Sequence, residues 1–183
     1  MFFKWVDYCE KYEAEIESWM NDEETRLADF DSIKETHEEH LSAGEYPYGE
    51  EYFCKVVLEE AEIIAVVLIF RGDKHPVIVN EFLVNPMQRN KGYGTKIIRE
   101  LINNIREIIG FDSNAFEVCI YPSNKASMRA FEKAGFVLAG IHADGDCTYW
   151  VYPPSELENY RKSSMDSMDD EFVVASTLTS RDE

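Results

Sequence analysis

Apolar residues return along this chain at two different periods, and the periods divide it. Over the first 20 residues Trp5, Tyr8, Cys9, Tyr12, Ile16, Trp19 and Met20 recur at helical spacing, which predicts an amphipathic helix. An acidic helical stretch follows over about Asp31 to Ser42, ending at Gly44 and a loop through Pro47 and Gly49. The pattern then changes to short apolar runs. Tyr52 to Leu58 and Ile63 to Phe70 predict an antiparallel pair joined by an acidic turn, with His75 to Val84 as the next strand. Ile97, Ile98, Leu101, Ile102, Ile105, Ile108 and Ile109 form the core-facing stripe of a long helix that starts near Gly92 and stops at Gly110. Phe116 to Tyr121 predicts a strand and Ser123 to Ala134 a short helix. Phe136 to Ile141 and Cys147 to Tyr152 predict a hairpin around Asp144-Gly145. Helices first, then strands wrapped on a long helix, give an α/β fold with a mixed sheet. We expect one domain over residues 1–152, with a helical region at 1–50 and a strand-rich core at 51–152. A polar, Ser/Asp-rich appendage follows at 153–183, in which Phe172-Val173-Val174 can dock.

Composition narrows the class. With 183 residues, 45% of them hydrophobic, the chain can bury a core without covalent staples. Its four cysteines are scattered with no Cys-x-x-Cys pair, and Cys54 and Cys119 lie in apolar runs, so they read as small core residues. The start, Met1-Phe2-Phe3-Lys4, lacks the basic head of a signal peptide. The longest apolar run, Ile63 to Phe70, is too short to span a bilayer. A reducing cytoplasm and no membrane partner are therefore expected. The net charge of −18 is uneven: residues 1–62 carry −14, residues 63–154 carry +1, and the remainder −5. Without clustered Lys and Arg, nucleic-acid binding is disfavoured. The acidic amino-terminal third is either a solvated surface or the lining of a site that attracts cations.

The chemistry-bearing feature is Arg89-Asn90-Lys91-Gly92-Tyr93-Gly94, where a predicted strand gives way to a predicted helix. Such a junction presents unpaired N–H groups and a positive helix end to one point, and its glycines let phosphates approach the backbone. The spacing fits neither a P-loop nor a dinucleotide fingerprint. About 30 residues on, Asn124, Ser127, Ala130 and Phe131 lead into Glu132-Lys133-Ala134-Gly135-Phe136. Together these two segments resemble the GNAT superfamily of acetyl-CoA-dependent N-acetyltransferases. Its first motif, Gln/Arg-x-x-Gly-x-Gly/Ala, is matched by Arg89, Gly92 and Gly94. Its second runs from Asn124 to Glu132-Lys133-Ala134-Gly135-Phe136. The resemblance covers about Ile63 to Tyr152 and implies a mixed, mostly antiparallel twisted sheet flanked by helices.

The resemblance also implies roles. The acetyl-CoA pyrophosphate would sit on N–H groups of Asn90, Lys91, Gly92, Tyr93, Gly94 and Thr95, with Arg89 leading in. The pantetheine arm would pair with the strand end at Phe82, Leu83 and Val84. Asn124, Ser127 and Phe131 would complete the cofactor contacts. Acyl transfer also needs a base for the cationic amine and an acid for the leaving thiolate. An acid amid an apolar strand is costly unless partnered or functional, so Glu81 is the expected base. Simple alternation sends Asn80 and Glu81 to opposite faces, and Asn80 stands where relatives often carry an acid. Phe131 stands where relatives commonly carry the tyrosine that protonates the thiolate, leaving Tyr121, Tyr149 and Tyr93 as nearby phenols. His37 and His40 sit on an acidic helical stretch and read as surface residues; no metal is expected.

The favoured function is acetyl transfer from acetyl-CoA to a primary amine of a small cationic molecule, such as an aminoglycoside or polyamine. Acetylation of a protein amine and a non-catalytic acyl-CoA-binding module are the alternatives. The partner expected is a small-molecule amine, with a homodimer left open.

Overall fold

The computed structural model describes residues 2–23, 25, 32–42, 51–72, 76–142, 144–166 and 172–174. Gly44, Pro47, Gly49 and His75 lie outside the described residues. Among the described residues eight strands form one sheet: β1 (Lys4–Asp7), β2 (Glu51–Glu59), β3 (Glu62–Arg71), β4 (Val77–Val84), β5 (Phe116–Ile120), β6 (Val137–His142), β7 (Thr148–Tyr152) and β8 (Phe172–Val174). Their spatial order is β1-β2-β3-β4-β5-β7-β6-β8. Every pairing is antiparallel except β4 with β5. Helices among the described residues include α1 (Glu10–Ser18), α2 (Ile33–Ser42), α3 (Tyr93–Asn103), α4 (Ile105–Ile109), α5 (Lys125–Ala134) and α6 (Leu157–Asp166). This is the mixed, mostly antiparallel α/β fold expected.

Apolar side chains on both faces of the sheet make two cores. On one face Ile97, Ile98 and Leu101 of α3 meet Val77, Val79 and Phe131. On the other, Ile16, Trp19 and Ile33 of the amino-terminal helical region meet Val66, Leu68 and Leu83. The central strand β3 is buried almost throughout, as its unbroken run Ile63 to Phe70 requires.

Three expectations change. The first helix begins later than expected, because Lys4–Asp7 pairs with β2 as an edge strand. Trp5 packs into one core and Val6 into the other, a period of two that helical spacing disguised. The start of the chain is tied to α3 by Glu100, whose buried carboxylate accepts N–H bonds from Phe2 (2.6 Å), Phe3 (2.9 Å) and the Trp5 indole (3.1 Å). Three donors offset the cost of burying that acid. The long helix is also interrupted. Asn104 adopts φ −131° and donates its side-chain amide to the Glu100 carbonyl at 3.0 Å, dividing α3 from α4. Cys119, finally, is no core residue: it is exposed on β5 and joined to Cys147 in a disulfide with Cα atoms 6.1 Å apart. Cys54 is buried, as expected, and burial pushes its thiol pKa up to about 12.

Beyond Pro153 the described chain continues as α6 and then β8, which pairs with β6 at the sheet edge. No helix among the described residues is long and apolar enough to cross a membrane.

Candidate active site

The parallel strands β4 and β5 pair only at Val77 with Phe116 and Ile78 with Glu117. Beyond that point they diverge, while β4 stays bonded to β3 out to Val84. One edge of Phe82–Val84 is therefore open, offering amide and carbonyl groups to an extended ligand. Asn85 fixes where the strand ends. It is buried; its N–H donates to the Ile64 carbonyl and its side-chain amide to the Ile63 carbonyl, both at 2.9 Å, while its side-chain oxygen accepts from Met87 N–H at 3.0 Å. A short turn at Pro86–Gln88 follows.

The next residues make the cradle. Asn90 and Gly92 take left-handed φ values of 61° and 83°, which asparagine tolerates and glycine adopts without strain. Gly92 caps α3, so the N–H groups of Tyr93, Gly94 and Thr95 have no partner inside the helix. Gly94 is where α3 meets α5 and β4: a Cβ there would lie 3.6 Å from both the Ala130 Cβ and the Phe82 ring. Thr95 donates its hydroxyl to the Ala130 carbonyl at 3.4 Å. The two sequence motifs are thus in contact.

Between them lies a cleft of about 670 Å³, within the range of roughly 300–1,000 Å³ usual for ligand sites. Phe82, Leu83 and Val84 line it from β4; Arg89, Asn90, Gly92, Tyr93, Gly94 and Thr95 from the cradle; Asn124 and Ser127 from α5. Asn124 also caps α5, accepting the Ser127 N–H at 3.0 Å. Two expected cofactor residues stand apart from this lining. Lys91 is exposed and bonded through its ammonium to Gln88 at 2.8 Å. Phe131 is 1% exposed, its ring edge-on to Phe136 (5.0 Å) and Phe82 (6.1 Å). Without a hydroxyl to satisfy, that ring is free to join the core.

The structure adds residues that the motif spacing did not single out. Lys125, Arg129 and Lys133 of α5 all line the cleft, and their four-residue spacing on one helical face was visible in the sequence. Thr25 lines it from the amino-terminal region, and no local pattern pointed to that. Arg89 donates from Nη1 to Asp22 (2.5 Å) and from Nη2 to Thr25 Oγ1 (2.6 Å). Burial alone would raise the Asp22 pKa, but bonds from Arg89 and Thr25 bring it below the usual carboxylate value.

Glu81 lies on the other face. Leu68 of β3 pairs with Glu81 and Ile69 with Val79, so Asn80 is the extra residue of a bulge and simple alternation fails there. The bulge puts Glu81 in one row with Leu68 and Cys54, on the face covered by α1 and α2. Glu81 is half-buried with Oε2 sealed from solvent, while Asn80 is exposed. Nearby, His37 and His40 are not the surface residues expected. His37 Nδ1 is 3.2 Å from the Tyr52 hydroxyl and its ring lies edge-on to Tyr8; His40 packs on Tyr52 and Phe70. Burial is the leading cause that lowers both imidazole pKa values. The Tyr8 hydroxyl is buried, and burial followed by the charges of Glu17 and Glu13 raises its pKa. Of the other phenols, Tyr93 donates to Glu59, Tyr149 packs near Tyr160, and Tyr121 is exposed. At the β6–β7 turn, ligand atoms of His142, Asp144 and Asp146 lie within 4.8 Å of one another. Both aspartates are exposed, with carboxylate oxygens 3.7 Å (Asp144) and 3.2 Å (Asp146) from the imidazole Nδ1.

The sequence profile described as the acetyltransferase (GNAT) family matches residues 10–136, more than half the chain. The chain belongs to the GNAT acetyltransferase family. Among curated relatives it is 35% identical over 88 residues to L-2,4-diaminobutyric acid acetyltransferase of Halalkalibacterium halodurans, covering 45% of each chain. It is 33% identical over 89 residues to aminoglycoside N(6')-acetyltransferase type 1 of Serratia marcescens, covering 46% of this chain and 42% of that one. The match thus spans less than half the length of either relative. Among solved structures, aminoglycoside acetyltransferase AAC(6')-Ib with coenzyme A and kanamycin superposes with a TM-score of 0.63 at 20% identity, over 87% of this chain and 99% of that one. Spermidine N-acetyltransferase of Vibrio cholerae, solved with CoA and spermine, gives 0.63 at 14% identity, over 86% and 99%. These likenesses establish the GNAT fold.

Proposed function

We propose that this chain transfers the acetyl group of acetyl-CoA to a primary amine of a small cationic acceptor. The observation that carries the reading is the union, in one cleft of a GNAT chain, of an open strand edge at Phe82–Val84 with the amides of Tyr93, Gly94 and Thr95, which have no partner inside α3. An extended pantetheine amide chain suits the first and a diphosphate the second. Arg89, Lys125, Arg129 and Lys133 supply positive charge around the same cleft.

Acetyl-CoA brings an acyl carbon already activated as a thioester. The protein's share is to hold it, to neutralise the amine and to exclude competing water. In this reading the edge at Phe82–Val84 holds the pantetheine and polarises the carbonyl through a backbone N–H. Asn124, whose side-chain oxygen is committed to the helix cap, contacts the cofactor through its amide N–H2. Glu81 takes the proton of the incoming ammonium, directly or through water. Two features favour a cationic acceptor: residues 1–62 carry −14, and α1 and α2 from that segment cover the face that holds Glu81. The relatives named for diaminobutyrate and aminoglycosides, and the neighbour solved with spermine, point the same way.

The buried Phe131 favours a second reading, a module that binds acyl-CoA without turning it over. Release of free thiol from acetyl-CoA, measured against polyamines, aminoglycosides, diamino acids and peptides, separates the two. We expect turnover with at least one small polyamine-like acceptor. Tight acetyl-CoA binding without turnover against every amine would favour the module.

A further inference from the structure

We propose that Asp22 and Thr25, from the amino-terminal half, belong to the cofactor site as positioning residues that hold the Arg89 guanidinium at the mouth of the cleft. The inference rests on the acetyl-CoA reading and extends it to residues more than 60 positions away in sequence.

The geometry is a closed triangle. Arg89 gives Nη1 to Asp22 at 2.5 Å and Nη2 to Thr25 Oγ1 at 2.6 Å. Asp22 Oδ2 in turn accepts the Thr25 N–H at 3.0 Å and the Thr25 hydroxyl at 3.2 Å. The hydroxyl can play both parts, accepting from Arg89 while donating to Asp22. Thr25 is 1% exposed and lines the cleft together with Arg89. A long side chain with many rotamers is thereby held in one arrangement before any ligand arrives, and such preorganisation raises affinity by lowering the ordering cost of binding. Asp22 also brings a negative charge toward an anion site, so its net effect has a sign that experiment can read. If orientation dominates, losing the carboxylate weakens binding; if charge dominates, losing it tightens binding.

The triangle also joins the two halves of the molecule. Asp22 follows directly on the turn at Trp19–Asn21 after α1, and Thr25 lies three residues further on. Ile16 and Trp19 of that segment pack on the sheet face that carries Glu81. Nucleotide bound at the cradle would therefore steady the acceptor-side segment, and the coupling must be reciprocal.

Calorimetric titration of the full chain with acetyl-CoA, in wild type and in Asp22→Ala, Asp22→Asn, Thr25→Val, Arg89→Gln and Asp22→Ala/Arg89→Gln, tests the clamp. Asp22→Ala should weaken binding about tenfold, with Asp22→Asn, which keeps an acceptor oxygen, losing less. The double variant should bind no more weakly than Arg89→Gln alone. Hydrogen exchange should show acetyl-CoA protecting the segment from Trp19 to Thr25 in wild type and not in Asp22→Ala. Folding of each variant is checked by circular dichroism; if Asp22→Ala fails to fold, Thr25→Val paired with Arg89→Gln carries the same cycle. Binding by wild type with equal or tighter binding by the clamp variants overturns the clamp alone. No binding by folded wild type overturns the acetyl-CoA reading and the clamp with it.

Discussion

The cleft between the two motif segments and the opposite face beneath α1 and α2 are made of different materials. The cleft is mainly backbone: an open strand edge, two left-handed turn residues and the first amides of α3. The opposite face is side chains: Glu81, Cys54, Tyr8, Tyr52 and His37, brought together by pairing across β2, β3 and β4 and by α2. A backbone site is sensitive to whatever changes dihedral angles or fills space, and indifferent to most other substitutions. A side-chain site fails one charge at a time.

The sharpest way to break that contrast is at Glu81. Glu81→Gln is expected to lower kcat by about 100-fold or more with the calorimetric affinity for acetyl-CoA unchanged. An equal loss of affinity would put Glu81 in the wrong half. Next in size is Gly92. A Cβ there would meet no atom within 4 Å, but φ is +83°, so the penalty is conformational, on the order of 1–3 kcal/mol for a strained residue. Gly92→Val should cost about tenfold in acetyl-CoA affinity, and Gly92→Asn, which tolerates the left-handed region, clearly less. Equal losses would show that space rather than conformation matters.

Smaller effects should follow at α5. Alanine at Lys125, Arg129 and Lys133 together should weaken acetyl-CoA binding several-fold and flatten its salt dependence, leaving the KM for the amine unmoved. A shift in the amine KM would break the division of labour. The smallest effect concerns His37 and His40, whose pKa values are lowered, chiefly by burial. Below about pH 6.5 the unfolded chain takes up these protons before the folded one does, so their contribution to stability is present above that pH and lost as pH falls. The Tm should drop between pH 7.5 and 5.5, and His37→Asn/His40→Asn should show a smaller drop. An identical drop in the variant would mean that these rings are not buried as described.

Much of the backbone half was legible in the sequence, because its signals are local. Glycine spacing at Gly92 and Gly94, an apolar strand before them and the second motif opening at Asn124 after them need only a few neighbouring residues to be read. The other half was not legible for equally physical reasons. The bulge at Asn80, which puts Glu81 in the Leu68 and Cys54 row, is set by pairing with β3, and counting along one strand cannot reveal it. The strand at Lys4–Asp7 forms because β2, some 50 residues on, supplies its hydrogen-bond partners. The same holds for Asp22 and Thr25 on Arg89 and for Cys119 with Cys147. Each joins residues that only the fold brings near.

In the proposed function the strand edge and the turn amides hold acetyl-CoA. Calorimetric titration of the folded wild-type chain with acetyl-CoA tests it most directly. Saturable uptake of one nucleotide per chain is expected, weakened in Gly92→Val. A folded wild-type chain that releases no binding heat and shows no rise in Tm with saturating acetyl-CoA would contradict it.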